Sequence, residues 1–175
     1  IAFDLDPLSP GGNINLAYLY IYAGRYDEAE KLLETGLELG HDGGRWGRVL
    51  IQVNKGEYAQ AFDSVVELER YFGVTEDSKN SMAFVFKSLV DGTQDAAAAR
   101  LLSGELNIGP HDVAYILIDL GHLDDAFDVF NARLDDIQGN RWFDLWDQKT
   151  APFRRDSRFP DLMHRMGLDE YWRQG

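Results

Sequence analysis

An all-α fold, a right-handed superhelical solenoid of about four helix pairs with a C-terminal helical cap, is what this chain predicts. Three observations predict it. A ten-residue segment recurs four times, as GRYDEAEKLL (24–33), GEYAQAFDSV (56–65), GTQDAAAARL (92–101) and GHLDDAFDVF (121–130). Its glycines are 32, 36 and 29 residues apart, in the range of periods that marks helical repeat arrays. The stretches on either side of each copy carry apolar residues at helical spacing, as Met82, Val85, Phe86 and Leu89 do.

Each place in the segment has a physical role. Glycine at the first place ends one helix, because only glycine takes a left-handed conformation at little cost. The third place (Tyr26, Tyr58, Gln94, Leu123) opens the next helix and plugs the gap between the two. Alanine at the sixth (Ala29, Ala61, Ala97, Ala126) marks a helix crossing, where a methyl group permits close approach. The tenth place is apolar in all four copies and lies on the same face, one turn further on. A hairpin of this size cannot bury its apolar face alone, so it must stack on neighbours.

Taken in order, the first helix covers about Asn13–Ala23 and the second Asp27–Leu39. The run 40–44 reads as a loop from its glycines. A third helix, about Arg45–Asn54, turns at Gly56 into a fourth, Tyr58–Tyr71, which Gly73 breaks. The fifth starts at Glu76 to Ser78 and reaches about Val90, and the sixth is Gln94–Leu102. After a loop over 103–110 come His111–Leu120 and Asp124–Leu134. Residues 1–140 thus form the repeats. Residues 141–175 carry three Trp, three Phe and seven Lys or Arg, with Phe159, Leu162, Met163 and Met166 on one helical stripe. An array needs its open apolar end covered, so this segment is read as a cap of the same domain. The opening IAFDLDP would be the end of an earlier repeat, with upstream helix in a longer protein.

Composition limits function. The net charge is −13, with 10 Lys and Arg against 24 Asp and Glu in residues 1–140, and 7 against 6 in residues 141–175. An acidic surface repels phosphate backbones, which argues against nucleic acid and anionic lipid. No apolar run approaches the ~20 residues that span a bilayer, so no membrane insertion is expected. Zero Cys removes disulfides and thiol chemistry; it fits the cytosol and does not exclude the bacterial periplasm.

Around its first two helices the chain resembles the tetratricopeptide repeat, a helix-turn-helix unit of about 34 residues. Leu16-Ala17, Tyr20, Gly24, Tyr26, Ala29 and Leu33 take the family's places, while Asn13, Gly36 and His41 depart from them. The run APFRRDSRFPDLMHRMGLDEYW (151–172) is similar to the tail that closes such domains in bacterial regulators. Those include transcriptional regulators with a winged helix and adenylate-cyclase-like proteins. The resemblance implies a regulatory C-terminal part of a larger signalling or transcription protein. It also implies a concave face lined by the first helix of each pair. Tyr18, Tyr22, Trp46, Leu50, Met82, Phe86 and Tyr115 are the candidates on that face, with Ile14, Ile21, Val53, Asn54, Leu89, His111 and Ile118 beside them. Such a stripe serves equally to pack against the next helix or against the chain's own C-terminal segment.

No arrangement of chemistry-bearing residues points to an enzyme. The four His are scattered, without a second His or carboxylate at ligand spacing on one helix. Gly11-Gly12 and Gly43-Gly44 lack the Lys-Ser or Lys-Thr of a phosphate loop. Neither cofactor nor metal is expected. The reading is a non-catalytic module that holds a protein or peptide segment in its groove. A small-molecule sensor and a homodimerisation element are the alternatives.

Overall fold

The computed structural model describes residues 6–72, 75–132 and 145–168, less the side chains of 69–72 and 110–111. The described residues are helical, with no strand among them. They form ten helices: α1 (Pro10–Tyr22), α2 (Tyr26–Glu38), α3 (Gly43–Lys55), α4 (Tyr58–Phe72), α5 (Glu76–Asp91), α6 (Gln94–Leu102), α7 (Pro110–Asp119), α8 (Leu123–Ala132), α9 (Ala151–Arg155) and α10 (Phe159–Arg165). The chain divides into two compact units, Ile1–Thr93 and Gln94–Gly175.

All four copies of the recurring segment adopt one turn. Gly24, Gly56, Gly92 and Gly121 have φ of 72°, 78°, 73° and 85°. The next N–H reaches back to the carbonyl five residues earlier each time: Arg25 to Tyr20, Glu57 to Gln52, Thr93 to Ser88 and His122 to Leu117. These bonds satisfy carbonyls that the end of a helix leaves open. The four alanines at the sixth place have no exposed surface, and Leu33, Val65, Leu101 and Phe130 at the tenth are buried.

In the first unit each helix packs on the next, and α1 also touches α3. One apolar cluster joins Ile14, Ala17, Ile21, Ala29, Leu33 and Ile51. A second joins Val49, Ala61, Val65, Leu68 and Phe86. Because Val49 and Ile51 lie on two sides of α3, that helix belongs to both clusters. Helix α1 starts earlier than its periodicity predicts: Pro10 sits at the first helical position, and the Ser9 hydroxyl accepts from the Gly12 N–H at 3.2 Å. Asn13 is buried, and its amide donates to the carbonyls of Pro7 and Ser9, both at 2.9 Å.

The expected loop over 40–44 is shorter than predicted, since α3 already begins at Gly43. Gly44 and Gly47 face α2, where a Cβ on Gly47 would come within 2.6 Å of Leu33. Close helix contact outweighs the low helix propensity of glycine there.

In the second unit α7 and α8 form a hairpin, and the C-terminal segment packs on it. Phe153 of α9 is fully buried between Phe127 and Phe130, with ring centroids 4.0 and 5.3 Å away. Leu145, Phe159, Leu162 and Met163 are buried with it. The Arg158 guanidinium lies over the Phe127 ring at 4.2 Å and pairs with Asp124 at 2.8 Å. The calls on residues 1–5, Gly73, 133–144 (Trp142 included), Tyr171 and Trp172 lie outside the described residues.

Candidate interaction surface

The predicted surface residues occupy the first helix of each hairpin, and their burial separates them. On α1, Tyr18 and Tyr22 are half-buried, their rings 6.4 Å apart and tilted by 45°. The Tyr18 hydroxyl donates to the Gly43 carbonyl at 3.3 Å, which ties α1 to the start of α3. Leu50 on α3 is half-buried and packs on the same cluster as Tyr18. Trp46 on α3 and Met82 on α5 are half-buried against the second cluster. Each of these five side chains keeps part of its surface in solvent, and Tyr18, Leu50, Trp46 and Met82 pack against the core clusters.

Phe86 behaves differently. It is 5% exposed and stacks on Tyr58, with centroids 6.3 Å apart. A ring so enclosed has no surface to offer a ligand, so Phe86 acts in the core. Ile14, Ile21 and Ile118 are core as well. Tyr115, in the second unit, is half-buried and stands edge-on to Phe130 at 5.5 Å. The side chain of His111 lies outside the described set.

Electrostatics around these residues come from pairs that spacing alone does not show. Lys55 pairs with Glu30 at 3.0 Å and stands 5.8 Å from the centre of the Tyr26 ring. That carboxylate raises the Lys55 pKa through its hydrogen bond. Arg25 lies over the Tyr20 ring at 4.2 Å and pairs with Glu28, whose pKa falls chiefly for that reason. His122 does have carboxylate neighbours: Asp125 at 3.2 Å and Asp95 at 3.1 Å, the latter brought in from α6. No group of three or more His, Cys, Asp and Glu suited to a metal ion exists among the described residues.

The strongest perturbations lie at the end of α7 and in the C-terminal segment. Burial pushes the Asp119 carboxyl up to about 6, against the pull of Lys149 3.8 Å away and with the push of Asp147. Asp156 is held down at about 2 by its hydrogen bonds from Arg158. Arg154 donates to the carbonyls of Leu145 and Asp147 and to the Thr150 hydroxyl. Those bonds fold the chain ahead of α9 into a knot of backbone acceptors. No described helix is long and apolar enough to cross a membrane. Compared with known protein families, with characterised proteins and with solved structures, the chain matches none.

Proposed function

We propose that this chain is a non-catalytic, tetratricopeptide-like interaction module that holds a peptide segment of another protein. The observation that supports this most is the half-burial of Tyr18, Tyr22, Trp46, Leu50 and Met82 on successive first helices of the hairpins. Partly exposed Tyr and Trp side chains such as Tyr18, Tyr22 and Trp46 carry much of the binding energy at protein interfaces. The aromatic members of the set bring large area with few rotatable bonds, so little entropy is lost on contact. The chain as a whole carries −13, which favours a basic or neutral segment and speeds its approach. The resemblance of the C-terminal run to the tails of bacterial regulators supports a regulatory role in a larger signalling or transcription protein.

The test is selection of peptides displayed on phage against the whole chain, followed by calorimetric titration of the winners. Trp46→Ala and Tyr22→Ala are each expected to weaken binding about tenfold or more. Winners that bind both variants as tightly as the parent would remove these side chains from the site.

A further inference from the structure

We propose that the turn between α7 and α8 is a pH-sensitive clasp, which grips α6 and the C-terminal segment in acid and slackens both above neutral pH. Two ionisable side chains, Asp119 and His122, flank Gly121 in the chain. His122 reaches α6 through Asp95, and Asp119 reaches the C-terminal segment through Lys149. All of these residues belong to the second unit.

His122 has a carboxylate at each ring nitrogen: Asp125 of α8 lies 3.2 Å from Nδ1, and Asp95 of α6 lies 3.1 Å from Nε2. A neutral imidazole has one N–H, so it donates to one of them and turns a lone pair on the other. Only the imidazolium donates to both. The start of α8 is a positive helix end and opposes a cation there, but two full carboxylate charges in direct contact outweigh it. Asp124, in the same turn, pairs with Arg158. Because Asp95 is fully exposed, water weakens its share of the grip.

Asp119 gives the same sign by a different route. Among the described residues no hydrogen bond reaches its carboxylate. Lys149 lies 3.8 Å away, outside hydrogen-bond range, and the buried Asp147 adds a second negative charge. The Arg154 guanidinium is turned to the carbonyls of Leu145 and Asp147 and to the Thr150 hydroxyl. This contact therefore accommodates a protonated carboxyl better than a carboxylate. Burial raises the Asp119 carboxyl to about 6, next to the range in which histidines ordinarily change charge. Each contact binds a proton more tightly when closed than when open, so both close as pH falls and open as it rises. The clasp goes beyond peptide capture, whose five side chains lie on α1, α3 and α5.

Amide hydrogen exchange of the whole chain at pH 5.0 and 7.5 tests it, with each rate divided by that of an unstructured chain at the same pH. Protection of α9 and α10 is expected to fall about tenfold at the higher pH, and that of α6 about threefold. Protection of α1 to α3 should not change. Asp119→Asn should keep α9 and α10 protected at pH 7.5, while Asp95→Asn should remove the pH dependence from α6 alone. Both substitutions keep the shape of the side chain, and circular dichroism checks that each variant retains its helices. Protection independent of pH in both stretches overturns the proposal, as does a loss spread equally over α1 to α3. A pH dependence that persists when both substitutions are combined overturns it too, because other groups then carry it.

Discussion

The carbonyl oxygen of Leu33 stands where a side chain on Gly44 would need to be: a Cβ there would come within 2.9 Å of it and 2.7 Å from Cγ of Leu37. The obstacle is helix backbone and cannot turn aside as a side-chain tip can. Gly44→Ala is therefore expected to destabilise the chain by about 1 to 3 kcal/mol through overpacking, although alanine is the better helix former by ~1 kcal/mol. Urea unfolding followed by circular dichroism measures it. A stabilised variant would mean that α2 and α3 do not approach this closely.

Phe153 fastens the C-terminal segment to α8. Removing its ring leaves a cavity beside Phe127 and Phe130, and Phe153→Ala should cost about 3 to 5 kcal/mol. Hydrogen exchange should then accelerate across α9 and α10 before it does in α7. Equal loss of protection in all three would show that segment and hairpin open as one piece.

Asp119 makes stability depend on pH in a direction opposite to most carboxylates. Its folded pKa of about 6 lies above the ordinary value of 3.8 for this side chain, so the folded state holds the proton more tightly. The stabilisation this provides is complete below about pH 4 and is lost as pH rises through 6. A quarter of the side chain remains exposed, at 24%, so solvent offsets part of the penalty. Asp119→Asn should raise stability at pH 7.5 by on the order of 1 to 2 kcal/mol and leave it nearly unchanged at pH 4. Unfolding curves of both proteins at the two pH values test the sign. Equal stability of the two at pH 7.5 would contradict it.

The four turns were legible because glycine, alanine and an apolar residue recur at fixed places, and each place answers a local demand of backbone or crossing. Helix starts were less so. The run His41-Asp42-Gly43-Gly44 reads as loop, yet Gly43, close to Ile14, and Gly44, against Leu33 and Leu37, open α3. Helix α9 was missed because Thr150-Ala151-Pro152 resembles a linker. The bonds that build it run from the Thr150 hydroxyl to the Leu145 and Asp147 carbonyls, both at 2.7 Å. Among the candidate surface residues, spacing placed Phe86 and Met82 on one stripe. Which of them is covered depends on Tyr58, in a different helix, and no periodicity reports that.

The most direct test of the central claim is a two-dimensional amide NMR titration of the isotopically labelled chain with a phage-selected peptide. Shifts should concentrate at Tyr18, Tyr22, Trp46, Leu50 and Met82, on the first helices of successive hairpins. Shifts confined to α2, α4 or the C-terminal segment, with those five residues unmoved, would contradict it.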